Sequence, residues 1–130
     1  WQDWAMGFVH VPVLVVGPNR RRRSVEMLVD SGAAYSVLPE ADCRALGLRP
    51  TRTLEFTLAD GSHIRRQVSE CRFSYAGVSA TSPVILGEHE DIALLGVVTL
   101  ECLGLVLNPF DRTLRPMRAP LMHTAAGAHP

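Results

Sequence analysis

The clearest periodicity comes early in the chain, where Val9, Val11, Val13 and Val15 alternate with His10, Pro12, Leu14 and Val16. An apolar residue at every second position predicts a strand with one buried face. Pro12 places that strand at a sheet edge or a bulge, because proline has no N–H to give to a ladder. "GPNRRRR" breaks the pattern and "SVEMLVD" resumes it. Two strands about a turn of roughly six to eight residues predict a hairpin, and its returning strand ends on Asp30.

"AAYSVLPEADCRALGLRP" begins as a short strand over residues 35–38 and continues as a short helix. Pro39 suits the helix start, Glu40 and Asp42 suit the first turn, and Gly47 suits the stop. "TRTLEFTLADGSHIRRQVSECRFSYAG" reads as two β segments about Ala59, Asp60, Gly61 and Ser62, since Asp-Gly between strands is a strong hairpin signal. "VSATSPVILGE" is a further β segment, followed by the acidic loop "EHED", then "IALLG" and a short helix over "VVTLECLG". "LVLNPFDRTLRP" predicts a closing hairpin that turns at residues 108–112. The chain therefore divides into an N-terminal extension (1–7), one folded domain (8–118) and a frayed tail rich in Pro, Ala and Gly (119–130). Mostly β with one or two short helices and no long helical crossovers points to a small barrel or folded sheet, not to an α/β fold.

Composition narrows the class. Hydrophobic residues make up 47% and charged residues 20% of the 130 positions, which fits one folded, soluble domain. The longest apolar stretches are too short to span a bilayer and no signal-peptide pattern opens the chain, so a cytoplasmic location is expected. Net charge is zero, and "RRRR" at Arg20 to Arg23 has no interleaved aromatics. Nothing there predicts a nucleic-acid partner; the run reads as a solvated hairpin turn. Cys43, Cys71 and Cys102 form no close pairs, which argues against a disulfide framework or a thiolate zinc site and reads as buried small hydrophobes in a reducing compartment. "GEHED" holds Glu88, His89, Glu90 and Asp91, but consecutive residues seldom converge on one ion, so no metal is assigned. No histidine is placed to activate a serine nucleophile.

Candidate chemistry centres on "LVDSGA". Gly32 permits a tight turn whose N–H groups approach the Asp30 carboxylate, and Ser31 can donate a hydroxyl. Alone, Asp-Ser-Gly is also ordinary turn composition. Its surroundings add "SVLP" just after it, the Asp-Gly hairpin about 30 residues on, and "LLG" 64 residues downstream of Asp30. In that order these features resemble the aspartic proteases, and more narrowly the single-domain, retropepsin-like members of retroviruses and their cellular and bacterial relatives. The resemblance runs from Val9 to about Pro116.

It implies a small closed β-barrel of the acid-protease type. It also implies Asp30 as the catalytic aspartate, with Ser31, Gly32 and Ala33 completing its motif. Leu94, Leu95 and Gly96 would pack behind the catalytic loop, and Ala59, Asp60, Gly61 and Ser62 would form a flap over an extended peptide or protein substrate. No cofactor is implied. Viral members end near Asn108 and knit their dimer from terminal strands, whereas this chain runs on into "PFDRTLRP"; its flap also lacks their multiple glycines. Arg65 and Arg66 beside the flap read as solvated strand residues or as a bias toward acidic peptides.

The mechanism needs two carboxylates, which at close range share one proton. Asp30 alone is followed by Ser-Gly or Thr-Gly, so a catalytic protein must be a symmetric homodimer with Asp30 meeting its own copy. Mildly acidic conditions favour such a dyad. The alternative is a retropepsin-like fold that binds peptides or dimerises without cutting them.

Overall fold

The structure is a computed structural model and describes residues 8–117. The predicted extension (1–7) and tail (119–130) lie outside the described residues, as does Arg118. Among the described residues, nine strands and two short helices follow one another: β1 (Val9–Val16), β2 (Arg22–Val29), β3 (Ser36–Leu38), α1 (Glu40–Leu46), β4 (Arg52–Thr57), β5 (His63–Tyr75), β6 (Val78–Leu86), β7 (Leu94–Leu95), α2 (Val97–Leu103), β8 (Leu105–Asn108) and β9 (Thr113–Pro116). No helix among the described residues is long and apolar enough to cross a membrane.

Alternation builds the first hairpin as its sequence requires. Val9, Val11, Val13 and Val15 are buried while His10 and Pro12 face outward. Their antiparallel partner β2 buries Val25, Met27 and Val29, with Glu26 exposed. Period two therefore sets Asp30 on the face opposite Met27 and Val29, so the strand that anchors in the core delivers its carboxylate away from it. Pro12 pairs only toward β2; on the other side, β1 meets β5 only from Leu14 to Val16. The connection turns through a 3-10 turn at Pro18–Arg20, with Asn19 and Arg20 both left-handed. Arg22 and Arg23 belong to β2 itself, and Arg23 Nε donates to Asp42 Oδ1 at 2.5 Å, so the basic run is only partly turn and tethers α1 to the hairpin.

Seven strands form one sheet in the order β1-β2-β7-β3-β6-β5-β4, and β8 and β9 form a separate two-stranded sheet. The closed β-barrel is not what forms. A barrel needs a continuous ladder with matched tilt and stagger around its circumference. Here β4 pairs only with β5 and ends the sheet, while β1 touches β5 through three residue pairs, Leu14–Val16 against Arg72–Ser74. The middle is equally slight: β7 offers two parallel pairs to β2 and one antiparallel pair to β3, Val37 with Leu94. The result is a sheet folded over on itself, mostly β with two short helices.

Its core is Val13, Val15, Met27, Leu38, Leu46, Phe73, Val84 and Leu95, all fully buried. Both helices end on a left-handed glycine, Gly47 and Gly104, whose N–H returns to a carbonyl of the last turn. Cys43 and Cys71 are buried as expected, but Cys102 lies on the exposed face of α2 and does not fill the core. Burial raises both buried thiols, with Cys71 reaching about 12. Phe73 is the largest fully buried side chain. Phe73→Ala is expected to cost about 3–5 kcal/mol of unfolding free energy in urea titration; a loss below about 1 kcal/mol would show that it does not hold the fold.

Candidate active site

Strand β2 runs alongside β7 with Leu28 against Leu94 and Val29 against Leu95, and the ladder continues one step as Asp30 N–H donates to Leu95 O at 3.0 Å. The chain then turns sharply. Ala33 N–H donates to Asp30 O at 3.1 Å and Gly32 N–H donates to Asp30 Oδ1 at 2.9 Å. A Cβ on Gly32 would stand 3.3 Å from that same carboxylate oxygen, a tight contact that the bare glycine avoids. Asp30 is half-buried, and Ser31 and Gly32 are exposed. The Ser31 hydroxyl makes no contact with Asp30 among the described hydrogen bonds; the Gly32 N–H is the described contact that orients the carboxylate.

The segment after β7 grips the other side of the loop. Val97 N–H donates to Ala33 O and Val98 N–H to Ala34 O, each at 2.9 Å. Between them Gly96 is pressed against backbone: a Cβ there would lie 2.6 Å from the Tyr35 carbonyl carbon and 2.9 Å from Ala34 O. No side chain fits without moving the loop. Asp30, Ser31, Gly32, Ala33, Leu94, Leu95 and Gly96 are thus brought together in one hydrogen-bonded unit.

Three buried hydroxyls beneath this unit were not singled out in the sequence. Ser36, Ser82 and Thr99 are all within 1% of full burial. Ser36 Oγ lies 2.5 Å from Thr99 Oγ1, Ser82 Oγ lies 2.8 Å from the same atom, and Gly96 N–H donates to Ser36 Oγ at 2.9 Å. One direction of donation satisfies them all, from Gly96 N–H through Ser36, Thr99 and Ser82 to Pro83 O at 3.0 Å. The chain of bonds ties β3, β6 and α2 to the glycine that abuts the loop. The sequence signal was slight: a small hydroxyl residue in each of three short segments, with Ser82 itself between Thr81 and Pro83.

Ala59, Asp60, Gly61 and Ser62 form the exposed tip of the β4–β5 hairpin. Leu58 N–H donates to Ser62 O at 2.7 Å, Gly61 adopts φ +89, and Asp60 Oδ1 accepts from Ser62 N–H (2.9 Å) and Ser62 Oγ (2.6 Å). No described hydrogen bond joins this tip to the Asp30 loop. The link is lower down, where the Tyr35 and Phe56 rings meet edge to face at 5.9 Å. Beside that contact a depression of about 410 Å³ is walled by Val37, Phe56, Leu58, Ile64, Ile92 and Leu94. Arg65 and Arg66 face Glu55 (3.8 Å) and Glu88 (3.1 Å). A cleft of about 630 Å³ lies elsewhere, lined by Arg21, Arg44 and Arg49, and includes none of the Asp30 loop.

A turn that follows a core strand on Asp-Ser-Gly, gripped by a Leu-Leu-Gly segment, agrees with the comparison with family models. Residues 19–101 match the family described as "gag-polyprotein putative aspartyl protease". The chain belongs to this family. Its fold is that of the retropepsin-like aspartic proteases, which have viral and cellular members. The EIAV protease, solved with the inhibitor HBY-793, shares 21% identity at a TM-score of 0.57, over 78% of this chain and 92% of the viral one. A retropepsin-like aspartic protease from Rickettsia conorii shares 22% identity at 0.52, over 76% of each chain. The retroviral protease-like domain of Ddi1 from Leishmania major shares 13% at 0.57, over 86% of this chain and 90% of the other. A comparison with curated proteins gave no match.

Two outcomes follow from this geometry. Thr99→Val keeps the shape but leaves Ser36 and Ser82 short of a partner, so a loss of about 1–3 kcal/mol is expected in chemical denaturation. The double variant with Ser36→Ala should lose less than the sum of the singles, and strict additivity would deny the network. At the hairpin tip, the Ser62 hydroxyl and N–H hold Asp60 below the ordinary aspartate value of 3.8. A depressed folded value means that the turn's support is complete above the unfolded value and is lost only as pH falls through the folded one. The tip therefore stays ionised and braced at mildly acidic pH. Ser62→Ala should raise the Asp60 midpoint in a carboxyl NMR titration; an unchanged midpoint would contradict the assignment.

Proposed function

We propose that the protein is an aspartic endopeptidase that works as a symmetric homodimer, with one Asp30 from each copy forming the dyad. The observation that carries the reading is the Asp30 turn itself. A half-buried carboxylate ends a core strand, with one oxygen bound by Gly32 N–H and the backbone locked to Leu95. Ion pairing does not explain it, since no salt bridge to Asp30 occurs among the described residues.

In the dyad, two carboxylates share one proton. The ionised member takes a proton from a water as the water's oxygen bonds to the scissile carbonyl carbon. The protonated member gives its proton to the carbonyl oxygen, forming a neutral gem-diol. As the diol collapses, its C–N bond breaks, one diol proton returns to a carboxylate, and the leaving nitrogen takes a proton from the dyad. The dyad ends with the single proton it began with.

The supporting roles follow from contacts. Gly32 fixes the plane of the carboxylate, and Leu94, Leu95 and Gly96 hold the loop through which a small misplacement would cost rate. An extended peptide would lie between the hairpin arms and β3, with an apolar side chain in the Val37–Phe56–Ile92 depression and backbone hydrogen bonds to the hairpin. The Ala59–Ser62 tip would close over it and exclude water. Glu55 and Glu88 opposite Arg65 and Arg66 offset part of the positive charge beside the groove.

Asp30→Asn should abolish cleavage of an unstructured polypeptide while leaving the dimer folded. Added in excess to wild type and allowed to exchange, it should also suppress the wild-type activity, because each mixed dimer keeps one carboxylate. Retained cleavage in the variant, or no suppression despite exchange, would overturn the mechanism.

A further inference from the structure

The C-terminal end of α1 meets the β1–β2 turn through two bare glycines. A Cβ on Gly17 would clash with Leu46 O, and one on Gly47 would lie 3.0 Å from Arg21 Nη1. The turn is therefore seated against the helix end, and the Arg21 side chain crosses over Gly47, which is left-handed at φ +70. Arg44, in the last turn of α1, is oriented by Glu40 at 2.9 Å. Arg49 follows the helix on backbone held from both sides. The buried Ser69 donates its hydroxyl to Arg49 O at 2.6 Å, and Thr51 N–H donates to Val68 O at 2.8 Å.

These three arginines come from three segments and line one cleft of about 630 Å³, within the size range of small-molecule sites. Charge in the cleft is not balanced. Arg44 has Glu40, but Arg21 and Arg49 have no carboxylate within ion-pair distance among the described residues. Glu70 is the one acid on the cleft wall, and it forms no described ion pair. Positive charge continues past the rim, where Arg22 and Arg72 each pair with Val16 from the two neighbouring strands. In a chain of zero net charge this is a local concentration, and a concave wall of like charge attracts an anion. Guanidiniums that approach from three directions suit a tetrahedral oxyanion. A phosphate monoester carries close to two negative charges at neutral pH and three acceptor oxygens, whereas one guanidinium fork already fills a planar carboxylate.

We propose that this cleft binds a small molecule carrying a phosphate monoester, with Arg21, Arg44 and Arg49 on its oxygens and Glu70 restraining its affinity. None of the Asp30 loop lines the cleft, so binding here needs neither a second copy nor a cleavage reaction. The anchored backbone at Gly47 and Arg49 holds the guanidiniums near their binding positions before the ligand arrives, which lowers the cost of ordering them.

The full chain, labelled with nitrogen-15, is titrated with inorganic phosphate, ribose 5-phosphate and succinate, with sodium chloride adjusted to hold ionic strength constant. Ribose 5-phosphate should shift the amides of Arg21, Gly47, Arg49 and Glu70 to saturation, and succinate should bind more weakly. Arg21→Gln and Arg49→Gln should each weaken ribose 5-phosphate about fivefold, and Glu70→Gln should tighten it about twofold. Arg115→Gln removes the same charge outside the cleft and should leave the affinity unchanged. All four side chains are exposed, so the amide spectra away from each substitution should remain those of the folded wild type. Shifts that never saturate, succinate bound as tightly as the phosphate ester, or affinity unchanged in either cleft arginine variant would overturn the assignment. Saturation by inorganic phosphate without the ester would mark an adventitious ion only, and would overturn it too.

Discussion

Everything near Asp30 depends on one close approach, that of Gly96 to the backbone of Ala34 and Tyr35. A single methyl group at residue 96 would sit 2.6 Å from a carbonyl carbon, well inside contact distance. Because the glycine is bare, Val97 and Val98 can reach the carbonyls of Ala33 and Ala34 while Leu95 O receives the Asp30 N–H. The loop is then held from both sides by backbone, which has fewer ways to yield than side chains. The carboxylate inherits that rigidity through one further bond, from Gly32 N–H.

The hydroxyls of Ser36, Thr99 and Ser82 extend the constraint into the core. Burying three polar groups is unfavourable unless each is satisfied, and here each can both donate and accept. Apolar residues of similar size would fill the space, but they would leave Gly96 N–H without an acceptor. The polar chain therefore converts packing of β3, β6 and α2 into a fixed height for the glycine, and so for the loop above it.

Much of this was legible in the residues. Period two in Val9–Val15 located the first hairpin, Asp60-Gly61 located the second, and Gly47 marked where the first helix stops. The Asp-Ser-Gly turn and the Leu-Leu-Gly segment stood in an order that few folds share. Their meeting through parallel pairing of β2 with β7 was not legible, because a two-residue strand carries no periodicity. The barrel expectation failed for a related reason. Closure depends on how many residue pairs each strand contributes, and pattern alone does not reveal that β1 meets β5 over only three. The hydroxyl network escaped because a Ser or Thr within a strand or helix is commonplace, and only three-dimensional convergence makes it distinctive.

The dyad reading holds that two copies of the Asp30 turn make one site. A crystal structure of the protein with a statine-type peptide mimic decides it. The account predicts a two-fold dimer in which the single hydroxyl of the mimic lies within hydrogen-bond distance of both Asp30 carboxylates, its backbone running between the β4–β5 hairpins. A mimic bound away from Asp30, or held by one copy with no second carboxylate near it, would contradict the account.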